Sequence, residues 1–312
     1  MSEVVIEANN LSKAYGQIQA VSGINLSIKE GEVYGFLGPN GSGKSTTILM
    51  MLGYTEPTGG SIRVWGKDPA RDPIAVKRIV GYLPETVGFY GDLTGLENLL
   101  FTAELNGINP EEAHCRSLDL LDMVELLTSK DQPVSQYSRG MKQRLGIADV
   151  LIKDPKIVIL DDPTLGLDPA GIQWLLELIE RLSRQLKITI FLSSHQLHEV
   201  QRICNRVGIM SYGQLVLEGK VTELVNPTDD SEYEISVETE SAVPSLRQQI
   251  RAMPHVKNVT GKGKHLLVKS VTDVRADIAQ AVVSSGSRLL ELQAQGNSLQ
   301  EIYLKYFQEA ST

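Results

Sequence analysis

At 312 residues, with 42% hydrophobic and 22% charged residues, the chain has the make-up of globular protein and room for two domains. Its formal net charge of −8 argues against electrostatic capture by nucleic acid or by an anionic lipid surface. No apolar stretch approaches the roughly 18 residues of a membrane-spanning helix, and the opening Met1–Val5 has neither the basic region nor the apolar core of a secretory signal.

Residues 4 to 84 read as strands and turns around one loop. Val33–Leu37 is an apolar run of strand length, and it leads into Gly38-Pro39-Asn40-Gly41-Ser42-Gly43-Lys44-Ser45-Thr46. That stretch satisfies the phosphate-binding pattern G-x-x-x-x-G-K-[ST]. Thr47–Leu52 continues as a helix. Strand, glycine loop and helix in this order let backbone N–H groups turn inward around anionic phosphates, with the positive end of the helix dipole behind them. Lys44 would face the β- and γ-phosphates, and the Ser45 hydroxyl would ligate Mg²⁺. A plain glycine-rich turn is the weaker reading, and the chain is expected to bind a nucleoside triphosphate.

Ile62–Trp65 reads as a short strand between Gly59-Gly60 and Gly66-Lys67-Asp68. From about 86 to 150 the spacing turns helical, through Glu97, Leu100, Ala103 and Glu104 and again through Leu118, Leu121, Val124 and Glu125. Phe89-Tyr90-Gly91-Asp92-Leu93 is either a contact loop or an aromatic pair packed back on its own domain. Lys156–Asp162 is a β-branched run ending in two carboxylates, as expected of a buried parallel strand with ligands at its carboxyl end. Asp161 would be the acidic partner of the magnesium site, through water. Ile188–Leu192 is a second such strand and ends at Ser193-Ser194-His195. A lone histidine is more often structural, but His195 at a strand's carboxyl end in a phosphate site can donate a hydrogen bond to the γ-phosphate. Cys115 and Cys204 have no metal or redox spacing and are expected as free, buried or half-buried thiols.

The first domain is expected to span residues 1–225, followed by a linker at 226–230, Asn-Pro-Thr-Asp-Asp. Residues 231–312 read as a small second domain. It contains a strand at Tyr233–Val237, a helix at Val243–Ala252, and a hairpin of Val256–Val259 with His265–Val268. The hairpin turns through Gly261-Lys262-Gly263-Lys264, which lacks the strand–loop–helix context of a second phosphate loop. A helix follows through Val274, Ile278 and Val282, then a strand at Arg288–Leu292. The capping box Ser298-Leu299-Gln300-Glu301 would start a last helix through Phe307. The order β-α-β-β-α-β-α predicts a ferredoxin-like α+β sandwich.

These segments, in this order, resemble the nucleotide-binding subunits of ATP-binding-cassette (ABC) transporters over roughly residues 4 to 222. Lys13-Ala14-Tyr15-Gly16 is similar to the aromatic loop of that family, with Tyr15 stacking on adenine. Tyr137-Ser138-Arg139-Gly140-Met141-Lys142-Gln143 resembles the family signature. There the signature opens a helix whose N-terminus faces the γ-phosphate held by the opposite subunit, and Ser138, Arg139, Gly140 and Met141 take those positions. Leu165-Gly166-Leu167-Asp168 matches the loop that crosses the dimer interface, and His195 matches the switch histidine. The resemblance implies an α/β P-loop cassette, with a mixed sheet core and a helical subdomain at about 86–150. It also implies ATP and Mg²⁺ as cofactors and hydrolysis by a head-to-tail dimer.

Three positions depart from the family pattern. Asp162 stands where a glutamate polarises the attacking water, and its carboxylate is shorter by about one carbon–carbon bond, roughly 1.5 Å. A misplacement of about 1 Å can cost on the order of a hundredfold in rate, so slow hydrolysis is expected. Glu85, in Gly81-Tyr82-Leu83-Pro84-Glu85, replaces a glutamine and would offer Mg²⁺ a carboxylate oxygen. Arg139 stands where glycine is common, and Met141 where glutamine is common. With Glu85, this signature resembles the ATPases of type-two ABC export systems. The resemblance implies a second copy or related cassette and a separate integral membrane permease as partners. It places the chain in the cytoplasm, peripheral to the cell membrane, with no nucleic acid partner. Two alternatives remain: a soluble ABC ATPase acting on ribosome or DNA, and a slow ATP-dependent regulatory switch.

Overall fold

In this computed structural model, residues 3–225, 233–241 and 244–295 are described, together with Leu299 and Tyr303. The chain divides into two compact units between Lys220 and Val221.

The first unit opens with a hairpin of β1 (Val4–Tyr15) and β2 (Ile18–Lys29), in which Tyr15 pairs with Ile18. β3 (Val33–Leu37) is buried at every position and runs through the glycine loop into α1 (Lys44–Met51). β4 (Gly59–Val64) pairs with β1, giving an antiparallel sheet ordered β2-β1-β4. The expected strand there ends one residue early: Trp65 takes a left-handed turn at φ 51° instead of extending it. α2 (Pro73–Ile79) and β5 (Val80–Leu83) follow.

The helical segment consists of α3 (Gly95–Leu105), α4 (Pro110–Met123) and α5 (Arg139–Leu151). Each start is written in the local chemistry. Thr94 and Glu97 form a reciprocal capping box, Asn109 caps α4 ahead of Pro110, and the Ser138 hydroxyl accepts from the Met141 N–H. Tyr90 is exposed and meets Phe101 edge-on, with ring centroids 5.1 Å apart, so this aromatic packs on its own domain.

The remainder alternates strand and helix: β6 (Ile157–Asp161), α6 (Pro169–Leu186), β7 (Thr189–Ser194), α7 (Leu197–Ile203) and β8 (Arg206–Ser211). β9 (Gln214–Lys220) closes the unit. The resulting sheet is ordered β5-β6-β7-β3-β8-β9, parallel except for β9. β3, β6 and β7 are buried on both faces, which suits their unbroken apolar sequences. Because they run parallel, their carboxyl ends finish on one edge: Leu37 pairs with Ser194, and Asp161 with Ser193. That edge is where open α/β sheets bind ligands. Cys204 is buried, but Cys115 is exposed on α4 and departs from the expected burial.

The second unit contains α8 (Val221–Val225), β10 (Tyr233–Thr239), α9 (Pro244–Arg251), β11 (Val256–Lys262) and β12 (His265–Ser270). α10 (Arg275–Ser284) and β13 (Leu289–Gln295) complete it. Its antiparallel sheet is ordered β11-β12-β10-β13, the split β-α-β arrangement of a ferredoxin-like sandwich. Ile235, Val237, Val259 and Val268 of the sheet bury against Leu246, Ile250, Ile278 and Val282 of the helices. The glycine–lysine tract is the β11–β12 turn. The expected linker at 226–230 lies outside the described residues, as does the last helix except for Leu299 and Tyr303.

Candidate active site

The glycine loop is built around Lys44. Its ammonium donates to the Gly38 carbonyl at 2.8 Å and to the Pro39 carbonyl at 3.2 Å, and the residue is 5% exposed. Burial pulls the Lys44 pKa down, opposed by the charges of Asp162, Asp161 and Glu85 in that order. Gly43 caps α1 at φ 106°, and a Cβ there would stand 2.5 Å from the Ala20 carbonyl of β2. No other residue fits that approach. Ser42 is buried within the loop, and its hydroxyl has no partner among the described residues. Ser45, the second residue of α1, is exposed.

Opposite the loop, Asp161 is 6% exposed at the end of β6. Burial raises its pKa, assisted by Asp162 and Glu85 and offset by the Ser193 hydroxyl and Lys44. Tyr82, between these groups, is pushed up to about 12 by burial and then by Asp161, Tyr54 and Glu85. Asp162 lies just past the strand in the left-handed region, at φ 44°. Its N–H donates to the Ser193 carbonyl at 3.0 Å. Its Oδ1 takes a 3.3 Å hydrogen bond from the His195 N–H and lies 2.8 Å from His195 Nδ1. The His195 side chain is 43% exposed.

Lys44, Asp161, Asp162, Glu85 and His195 are therefore brought together at the carboxyl edge of the sheet. Tyr15 sits at the end of the β1–β2 hairpin, 48% exposed, with Lys13 Nζ 4.9 Å from its ring centre. Ser138, Arg139, Gly140 and Met141 form the first turn of α5. They gather with Asp168, whose side chain caps α6 by accepting from the Gly171 N–H at 3.0 Å. Among the described residues, no hydrogen bond or ion pair joins them to the phosphate loop of their own chain. Ser138, Gly140, Met141 and Asp168 line instead a separate cleft of about 360 Å³ with Leu167 and Trp174.

Two residues to which the sequence alone assigns no role also pack in this region. Gln143, the last residue of the signature stretch, is buried and donates to the Pro163 carbonyl at 2.8 Å. Glu199, on α7, is 2% exposed with Oε1 unpartnered among the described residues. Burial raises its pKa, against the Thr164 hydroxyl, His198 and His195. Its sequence signal is an acid between His195 and the buried Val200 and Ile203.

A phosphate chain fits a loop with a buried lysine, an unpartnered buried hydroxyl and a helix N-terminus. A hard divalent cation fits the oxygen set of Ser45, Asp161 and Glu85, beside which Lys44 alone does not balance three carboxylates. Among the described residues, no group of three or more His, Cys, Asp or Glu is arranged to hold a metal by itself. The ion would need phosphate oxygens and water as well, as Mg²⁺ in phosphoryl-transfer sites does.

The sequence pattern of the family described as ABC transporter matches residues 21–165. The bacitracin transport ATP-binding protein BcrA of Bacillus licheniformis is 42% identical over 69% of this chain and 69% of its own length. The linearmycin resistance ATP-binding protein LnrL of Bacillus subtilis is 32% identical over 96% of this chain and 97% of its own length. The chain belongs to the ATP-binding subunits of ABC transporters. The ABC cassette is also shared in three dimensions. A solved dimeric cassette in a post-hydrolysis state, bound to ADP and Pi, superposes with a TM-score of 0.63 and 27% identity. That overlap covers 69% of this chain and 98% of the solved one. This ABC subunit is an ATPase, built as a P-loop cassette followed by a small ferredoxin-like domain. Among its described residues no helix is long and apolar enough to cross a membrane.

Proposed function

We propose that this ATPase powers export of an antibiotic-like small molecule, working as a dimer of cassettes beneath a separate membrane permease. The observation that carries the catalytic part is the convergence of Lys44, Asp161, Asp162 and His195 on one edge of the parallel sheet. Lys44 neutralises charge on the β- and γ-phosphates, and backbone N–H groups of Gly41 to Ser45 surround them. Tyr15 offers its ring face to adenine. Ser45, Asp161 and Glu85 would hold Mg²⁺, which would supply charge neutralisation on the phosphate oxygens.

Asp162 accepts the proton of the attacking water. The His195 contact at 2.8 Å holds that carboxylate in place, and Nε2 remains available to the γ-phosphate. Ser138 and Gly140, which no hydrogen bond among the described residues joins to their own chain's phosphate loop, contact the nucleotide of a second copy, and Asp168 lies at the seam between copies. The ferredoxin-like domain tunes the cassette or its assembly without taking part in chemistry.

Export, and an antibiotic as the class of substrate, is supported by the printed functions of the bacitracin and linearmycin relatives. Glu85 and the Arg139–Met141 signature support it too. A cytoplasmic position at the membrane follows from a permease partner. The test is to isolate the membrane protein that co-purifies with the full chain and reconstitute both in vesicles. ATP-dependent movement of an antibiotic away from the cassette side supports the reading. Movement toward it, or a ribosome as the only co-purifying partner, refutes it.

A further inference from the structure

Arg139 occupies the first helical position of α5, where a cation is set against the positive end of the helix dipole. Local helix chemistry therefore gives no reason for it, and its contacts lie elsewhere. Its Nη2 donates to the Leu165 carbonyl at 2.6 Å. Its guanidinium lies against Gly166, so close that a Cβ there would stand 2.2–2.6 Å from Cζ, Nη1 and Nε. Gly166 has φ +73°, a left-handed backbone that favours glycine and leaves the guanidinium room to sit against it. One turn further along α5, Gln143 donates to the Pro163 carbonyl. Leu165 in turn gives its N–H to the Asp162 carbonyl at 3.2 Å. Two hydrogen bonds thus connect the first turn of the signature helix to the backbone of Asp162. That residue's carboxylate is held by His195 on the other side.

We propose that Arg139 is a positioning residue that fixes the Pro163–Leu167 turn, and through it Asp162, to the signature helix of the same subunit. This rests on the reading of Asp162 as the hydrolytic carboxylate. A glycine, common at this position in the family, has no side chain with which to reach Leu165. The short aspartate and the long arginine act together: the arginine holds in place a backbone from which a shorter carboxylate must work. A planar guanidinium can bond one carbonyl while packing against a glycine; a lysine can reach the carbonyl without covering the turn.

The test compares the full chain with Arg139→Ala, Arg139→Lys and Asp162→Asn in three measurements. These are thermal melting, affinity for a fluorescent ATP analogue, and single-turnover hydrolysis. Hydrogen exchange of peptides covering residues 162–168 is followed in parallel. Arg139 is exposed, so the alanine variant should melt like the parent. It should bind nucleotide within about twofold of the parent yet hydrolyse about tenfold more slowly, as expected when a charge-assisted bond that orients a catalytic loop is lost. Exchange in 162–168 should rise by a similar factor, and Arg139→Lys should recover part of both losses. Parent-like hydrolysis in Arg139→Ala overturns the proposal, whether or not exchange rises, and so does unchanged exchange. Parent-like hydrolysis in Asp162→Asn would instead overturn the underlying reading of Asp162.

Discussion

Replacing Asp162 by asparagine changes one charge and almost nothing else. Asparagine matches aspartate in size, and both are enriched several-fold in the left-handed region that Asp162 occupies at φ 44°. The amide oxygen can still accept from His195 Nδ1, now 2.8 Å from Oδ1, and from the His195 N–H. The stability change should therefore stay within about 1 kcal/mol. Nucleotide affinity should hold or tighten, because a negative charge is removed from beside the phosphates that Lys44 is expected to face. The amide cannot take a proton. A positioned general base is worth about 10²–10⁴ in rate, so single-turnover hydrolysis should fall by that factor. The assay mixes excess protein with labelled ATP and Mg²⁺ and quenches over time, with affinity and melting measured on the same preparations. ATP should then hold the variant as a dimer in sedimentation, since the bound nucleotide is no longer consumed. A rate within about threefold of the parent, with affinity and melting unchanged, would refute the assignment of Asp162 as base.

Lys44→Ala should lower ATP affinity or abolish turnover, because it deletes the buried ammonium held by Gly38 and Pro39; titration with a fluorescent nucleotide and a hydrolysis assay read this, and parent-like values in both contradict it. Asp162→Glu should raise the single-turnover rate by restoring roughly 1.5 Å of reach. It should also lower the melting temperature by about 2–4 °C, since a glutamate at positive φ costs on the order of 1 kcal/mol. A slower enzyme would show that the local backbone suits aspartate and that reach does not limit the reaction. Truncation after Thr228 should leave a folded cassette that binds ATP with parent affinity; a folded fragment by circular dichroism that fails to bind ATP contradicts the division of labour between the two units.

The phosphate loop was legible because its chemistry depends on local backbone conformation. Glycines at fixed intervals and a lysine at the start of a helix mean the same thing in any protein that has them. Asp161 and His195 were legible for a related reason. Each ends an unbroken apolar run, and such runs become buried parallel strands whose carboxyl ends share an edge. The strand order β5-β6-β7-β3-β8-β9 was not legible, because the pairing of β3 with β7 and β8 is decided by crossovers far apart in sequence. Trp65 looked like the end of a strand by its β propensity, yet the turn to Lys67 sets its backbone. Cys115 faces solvent on α4 although cysteine as a type is commonly buried. The contacts of Arg139 and Gln143 join residues about 20 to 26 positions apart, and nothing in the spacing marks either side chain as a partner of the turn after Asp162. Glu199 has the sequence appearance of a solvated helix acid; only packing shows it to be buried.

The central claim is that each hydrolytic site takes its phosphate loop from one copy and its signature from another. Gly140→Asp tests the signature without disturbing its own subunit. A Cβ on Gly140 has no neighbour closer than 3.9 Å, and an acid in the first turn of α5 agrees with the helix dipole. It would place negative charge against the partner's nucleotide. Lys44→Ala disables the phosphate loop. Each variant alone should be inactive, because every composite site in its homodimer carries the defect. Mixed in equal amounts and allowed to exchange, half the dimers combine the two variants and hold one intact site. The mixture should therefore recover about a quarter of parent turnover. A mixture as inactive as its components would contradict the shared site, as would a Gly140→Asp protein that hydrolyses ATP at the parent rate.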